Sequence, residues 1–359
     1  MKRILTILAA LLLCSFGGND TLANSNQGSP AAERTIIYKV FTDPKKPAQI
    51  VGRLTPMHWA SLSPGERFLY TERIDPATNQ LSYYVFDFAL QQFTPLAGPG
   101  TWYPKHDLLV IVEGNHFVLY NPETRERREL AVLEDASAIV DMVVSPDEKH
   151  LAILTRKDLS QEHQKQAALY ILDLETSAVT LRDSFTVDVY WKEYHENKLY
   201  WHPDSQHVYY YGQWEQAPSA KKSLIKRLDI TSGETQLSGG RDFPSFSPDL
   251  SVSVGYAGNA ILLKDLAGNV VNLGEGSKVT DIHWSPMSHA YVGVQPLGPI
   301  GAGADARETI RYQDKSRFFY FPAIPFAKYW DNLRFVGWAR DGKSFYVADL
   351  APIPYEWHS

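Results

Sequence analysis

Short apolar stretches, each alternating with polar positions and each closed by a turn, recur along nearly the whole chain. One cycle is clearest around residue 248. Arg241 to Phe246 reads as a first strand ending at Ser247-Pro248-Asp249, and Val252, Val254 and Tyr256 alternate along a second. Ala260 to Lys264 gives a third strand, and Asp265-Leu266-Ala267-Gly268-Asn269 turns it into a fourth, Val270 to Leu273. The turn after the third strand recurs at Asn121-Pro122-Glu123-Thr124, Asp173-Leu174-Glu175-Thr176 and Asp229-Ile230-Thr231-Ser232-Gly233. Asp or Asn at its head can bond the backbone two residues on, which favours a turn over continued strand.

The first turn has seven copies, each following an aromatic or bulky residue. They are Leu62-Ser63-Pro64-Gly65, Trp102-Tyr103-Pro104-Lys105, Val144-Ser145-Pro146-Asp147, Trp201-His202-Pro203-Asp204, Phe246-Ser247-Pro248-Asp249, Trp284-Ser285-Pro286-Met287 and Trp338-Ala339-Arg340-Asp341-Gly342. Measured on the proline, or Arg340 in the last copy, the steps are 40, 42, 57, 45, 38 and 54 residues. A period of roughly 40–45 residues built from strands is that of a β-propeller blade. The expected fold is therefore all-β, a seven-bladed propeller of four-stranded antiparallel blades over residues 35–350, with a tail at 351–359. The last copy lacks room for two of its strands after Ser344 to Ala348. Thr35 to Phe41 and Ala48 to Leu54, joined around Asp43-Pro44, are expected to complete that blade and remove its open edge.

Three stretches exceed the minimal repeat. Lys157 to Ala168 is polar, with Gln161, Gln164 and Gln166, and reads as an exposed hairpin loop. Phe185 to Lys198 is dense in charge and aromatics, and Pro296 to Gln313 carries Gly298, Gly301 and Gly303. Insertions in repeat proteins map to loops on one face, often the binding face.

Lys2 and Arg3, then the apolar run Ile4 to Leu13 and small residues, form the pattern of an export signal over 1–23. The run is too short for a membrane span, which takes about 20 residues. A short polar segment, 24–34, would follow. The one cysteine, Cys14, lies inside the signal, with Leu13 where lipid attachment wants a small residue, so simple cleavage to a periplasmic or secreted protein is expected. The mature chain would then lack cysteine, which excludes disulfides and thiol catalysis. Cleavage after Ala23 would move the formal net charge from −6 to −7. With no Lys/Arg run, a nucleic-acid role is unsupported.

No Gly-x-Ser-x-Gly elbow, His-Glu-x-x-His motif or Cys/His cluster occurs. The stretch Gly298 to Asp305 lacks the Gly-Lys-Ser/Thr ending of a phosphate loop. First strands of propeller blades line a central channel, so residues a few places before each turn are candidates to meet there. These are Asp141, Asp281 and His283, with Asp242 and Arg334 one step further back. Asp141 and Asp281 occupy the same repeat position and would face each other if that position points inward. The set could take a divalent cation or an anionic ligand, or simply stand in water; no cofactor is otherwise expected. His58-Trp59 and Trp201-His202 pair an imidazole with an aromatic, but Trp at a strand end reads first as packing between blades. The run Arg317 to Pro322 with Phe326, Tyr329 and Trp330 is either core or an apolar contact patch.

The Ser-Pro-Asp turns preceded by Trp or Phe, the following apolar strand and the Asp-x-x-(Thr/Ser)-Gly hairpins resemble the TolB-type propeller repeat. The resemblance spans about residues 35–350 and departs from it at Tyr103-Pro104-Lys105 and Ala339-Arg340-Asp341. It implies a periplasmic propeller that binds protein partners at its channel mouth, here without the α/β domain that precedes the TolB propeller. No partner site transfers residue by residue. The expected function is thus a non-enzymatic, monomeric scaffold for a protein or peptide partner, with no transmembrane span. The alternative is a polysaccharide lyase or hydrolase with its active site at the channel.

Overall fold

The computed structural model describes residues 35–349 apart from 44, 76–77, 79, 135–136, 159–163, 189–198, 213–223, 238–244, 258–259, 276–279, 298–306, 314–317 and 321–332. The expectations for residues 1–34 and the tail, including the export signal and Cys14, lie outside the described residues, as does Asp242.

All regular structure among the described residues is β, arranged in seven four-stranded antiparallel sheets. The first two strands, β1 (Thr35–Phe41) and β2 (Gln49–Leu54), belong to sheet 7. Sheet 1 is β3 (Trp59–Leu62), β4 (Phe68–Ile74), β5 (Leu81–Asp87) and β6 (Gln92–Leu96). Sheet 2 is β7 (Gly100–Trp102), β8 (Leu109–Glu113), β9 (His116–Tyr120) and β10 (Arg127–Val132). Sheet 3 is β11 (Ala138–Val144), β12 (His150–Asp158), β13 (Gln164–Asp173) and β14 (Val179–Asp188). Sheet 4 is β15 (Leu199–Trp201), β16 (His207–Gly212), β17 (Leu224–Asp229) and β18 (Thr235–Leu237). Sheet 5 is β19 (Ser245–Phe246), β20 (Val252–Ala257), β21 (Ala260–Asp265) and β22 (Val270–Glu275). Sheet 6 is β23 (Thr280–Trp284), β24 (Tyr291–Leu297), β25 (Arg307–Gln313) and β26 (Phe318–Tyr320). Six sheets thus take four consecutive strands, while sheet 7 is composite: β27 (Leu333–Trp338) and β28 (Ser344–Asp349) pair on in the order β2-β1-β28-β27. Ile36 faces Asp349 and Phe41 faces Ser344 across the join. The chain's early strands therefore cover an edge that β28 would otherwise leave unpaired.

The core is not central. It is a series of apolar layers, each shared by two neighbouring sheets. Phe68, Tyr70 and Val85 of sheet 1 meet Leu109 and Ile111 of sheet 2, and Leu154, Leu169 and Ile171 of sheet 3 meet Trp201, Val208 and Tyr210 of sheet 4. Tyr38, Val347 and Phe345 of sheet 7 meet Ala290 and Val292 of sheet 6, while Ile37 and Tyr346 meet Leu62 and Phe86 of sheet 1. Burial on both faces is why strands such as Leu109–Glu113 read as continuous apolar runs. These shared layers and the composite join make the chain a propeller of four-stranded antiparallel blades. First strands meet at the inner side of the ring, where β3 contacts β27 and β11 contacts β7 and β15.

Two sequence expectations need correction. The polar stretch Lys157 to Ala168 is not a loop for most of its length. Lys157 pairs with Gln166 and Asp158 with Lys165, and Gln164 pairs with Asp188 of β14. Backbone pairing continues whatever the polarity of the side chains, so a polar hairpin can extend a sheet beyond its buried part. Likewise Pro296 and Leu297 pair with Glu308 and Arg307, leaving only 298–306 as the connection.

Candidate functional site

Strict antiparallel order divides the connections between two faces. Turns from first to second and from third to fourth strand lie on one, and all others on the opposite one. On the first, the turn face, every connection has four to seven residues. On the second, connections run from two residues to twelve, and all four of nine or more lie there: 189–198, 213–223, 298–306 and 321–332.

The turn face is closed by its own chemistry. In three copies the buried Ser hydroxyl accepts the amide five residues on: Phe68 to Ser63 Oγ, His150 to Ser145 Oγ and Val252 to Ser247 Oγ. Ser145 and Ser247 also donate to Asp147 and Asp249. Glu66, Glu148, Ser205, Leu250 and Gly342 take positive φ at the second place after the proline position, the left-handed step that lets the chain return to the second strand. Neighbouring turns then clasp one another. The Arg340 amide donates to Glu66, Gly65 to Asp107 Oδ1 (2.6 Å), Lys105 to Glu148 (2.7 Å) and Asp147 to Ser205 Oγ (3.0 Å). His202 packs edge-on against Phe246, His289 Nε2 reaches Asp249 Oδ2 at 2.8 Å, and Gly342 lies so close to Ser285 that a Cβ would sit 2.7 Å from its hydroxyl. Every seam between sheets is crossed. The indoles two residues before the turn position reinforce it: Trp102, Trp201, Trp284 and Trp338 donate to Ser61 O, Val143 O, Ser245 Oγ and His283 O of the preceding sheet.

Several aspartates on the turn face are held ionised. Burial works against Asp87, Asp147 and Asp204, but hydrogen bonds outweigh it and keep each below the usual carboxylate range. Amides of Thr176 and Ser232 do the same for Asp173 and Asp229, and the His289, Ser247 and Ser251 side chains for Asp249. The opposite face behaves in reverse. Burial pushes the Glu72 carboxyl up, although the Tyr70 hydroxyl donates to it at 2.9 Å, and burial pushes Asp349 up to about 6. His58 is held below its ordinary value by burial and by the nearby Arg334 guanidinium.

The channel candidates divide sideways. Asp141 accepts the Leu199 amide of sheet 4 at 2.9 Å. His283 stacks on Phe335 of sheet 7, with ring centroids 4.1 Å apart and planes at 16°. Arg334 is the second residue of β27, near enough to His58 to act on its charge, at the long-connection end of the strand. Asp281 lies in β23, next to an irregular step of the ladder between Thr280 and His283, and its side chain is outside the described residues. A similar step precedes Asp141, between Ile139 and Asp141. The arrangement thus brings Arg334 to His58, which the sequence did not pair, and gives Asp141 and His283 partners on adjacent sheets. The reason is geometric: a radial sheet turns its edge to the channel and its faces to its neighbours, so alternating side chains point between blades. Among the described residues, one group has metal-ligating geometry, His202, Asp204 and His207, and it belongs to the turn face.

The sequence matches no protein-family model and no curated protein. Solved structures match in fold. The protein assigned as TolB from Agrobacterium tumefaciens aligns with a TM-score of 0.50 at 16% identity, over 90% of this chain and 100% of that one. The tricorn protease aligns with a TM-score of 0.51 at 10% identity, over 89% of this chain and 34% of that one. An oligogalacturonate lyase in complex with manganese reaches only 0.34 at 13% identity, over 90% of this chain and 99% of that one, too low to bear on function. These likenesses support a β-propeller fold; identities this low speak for the fold alone. No helix among the described residues is long and apolar enough to cross a membrane.

Proposed function

We propose that this protein is an exported propeller scaffold that binds a protein or peptide partner through its long-connection face. One observation carries the reading: the turn face is occupied by contacts between its own turns, whereas the four longest connections all join strand ends on the other side. Three of the nine tryptophans, Trp191, Trp214 and Trp330, fall in those connections, together with Tyr190, Tyr194, Phe326 and Tyr329. Aromatics of this kind dominate binding energy at protein interfaces. Similarity to TolB in fold is compatible with a partner-binding role. The alternative, lyase or hydrolase chemistry in the channel, draws less support, since Asp141 and His283 are engaged with neighbouring sheets.

A photo-crosslinking side chain placed singly at four exposed positions tests the proposal in the cells that make the protein. Thr55 and Leu81 mark the long-connection face; Leu90 and Leu266 mark the turn face. Adducts with a discrete partner are expected from the first pair. Their absence there, or adducts from the turn face alone, would overturn the reading.

A further inference from the structure

We propose that His202, Asp204 and His207 form a binding site for a divalent transition metal of the zinc class on the turn face. The inference does not depend on the partner-binding reading. His202 Nδ1 and His207 Nδ1 each lie 2.8 Å from the same oxygen, Asp204 Oδ2, and the three ligand atoms fall within 4.8 Å of one another. All three side chains are partly open, at 15, 22 and 25% exposure, so an ion can enter. Two imidazoles and one carboxylate suit zinc or a neighbouring borderline ion, whereas calcium and magnesium prefer all-oxygen sets. Bonds of about 2.0–2.1 Å to a tetrahedral ion place ligand atoms about 3.4 Å apart, so each imidazole nitrogen must separate from the Asp204 oxygen beyond the present 2.8 Å to admit the ion.

The repeat itself shows that His202 is an addition. In sheet 3 the corresponding turn is Ser145-Pro146-Asp147 followed by His150, and the Ser145 hydroxyl both accepts the His150 amide and donates to Asp147. Sheet 4 keeps the second imidazole and replaces the serine by His202. Asp204 Oδ1 takes over the amides of Gln206 (2.8 Å) and His207 (3.2 Å), which fixes the carboxylate and leaves Oδ2 to the two rings. The turn thus closes without the serine, and the Asp204 amide donates to His202 Nδ1 at 3.4 Å. Support around the ligands is also present. Phe246 holds the His202 ring edge-on at 4.7 Å, Ser205 Oγ ties the turn to the Asp147 amide, and Asp229 Oδ2 lies 3.7 Å behind His207 Nε2. A carboxylate behind a ligating imidazole orients the ring and raises its basicity. Three protein ligands leave a further position for water or for a donor from outside.

The test is a Zn²⁺ titration of the untagged full chain by calorimetry, with Co²⁺ visible spectra as a second reading. The key variant is His202→Ser, which restores the Ser-Pro-Asp turn found elsewhere in the molecule and so should keep the fold; His207→Gln is the second. One equivalent of Zn²⁺ is expected to bind native protein and raise its melting temperature. Affinity should fall at least tenfold in both variants, with the metal-free melting temperature of His202→Ser unchanged. Failure of native protein to take up one equivalent, or a loss below tenfold in either variant, would overturn the proposal.

Discussion

The two faces of this propeller use the same strands to opposite ends. On the turn face, short connections carry carboxylates, serines and left-handed residues that bond to one another and to the next sheet, and burial of charge is offset by hydrogen bonds. On the long-connection face, Glu72 and Asp349 are pressed toward their neutral forms and His58 away from its charged one. The lesson is a division of labour. One end of the ring is occupied in holding the sheets together, whereas the four longest connections join strand ends at the other.

The strongest way to break that comparison is to remove a clasp on the turn side. Trp201 is 4% exposed and its indole donates to Val143 O across a seam. Trp201→Ala is expected to destabilise the protein by about 3–5 kcal/mol, through lost packing and a stranded carbonyl. Urea unfolding would measure it, and a loss under about 1 kcal/mol would show that the seams are not held there.

Next, a flexible five-residue Gly/Ser insert placed on each face in turn compares the two directly. Between Asp147 and Glu148 it separates the Ser205 and Lys105 contacts and should cost about 2 kcal/mol or more. Within 298–306 the same insert should cost about 0.5 kcal/mol or less, since loop entropy grows slowly with length. Equal losses in chemical unfolding would erase the distinction between the faces.

The smallest effect sharpens the electrostatic contrast. Asp349 titrates at about 6 in the fold against an ordinary 3.8, with burial as the cause and Tyr38 among the groups facing it. Between those values the unfolded chain has released a proton that the folded chain keeps, so this group's contribution to stability falls as pH rises and is least favourable above about 6. Asp349→Asn should therefore stabilise at pH 7.5 by on the order of 2 kcal/mol, with the gain shrinking toward pH 4. The turn-face aspartates run the other way: their contribution is present above their ordinary range and is lost as pH falls below it. Melting curves of both proteins at the two pH values decide the sign.

Much of the fold was legible in the chain because it depends on local chemistry repeated at intervals. Asp173 and Asp229 head hairpins because their carboxylates accept the amides two and three residues on, and that motif is visible in Asp-x-x-(Thr/Ser) itself. The Trp positions announced packing between sheets for the same reason. The pairing of β1 with β28 was legible from the strands missing after Ser344. What the channel candidates face was not. Asp141 and His283 share a strand pattern with many half-buried residues, and whether each looks inward or toward a neighbour depends on a local shift of ladder register that no single-residue pattern encodes. The approach of Arg334 to His58, and the meeting of two histidines on Asp204, also arise only when strands are set side by side. Local turns and strand periods are written in consecutive residues, so the sequence by itself determined the blades and how the last one closes. Only the tertiary structure decided which polar groups converge, because that follows from the radial stacking of sheets and not from any one of them.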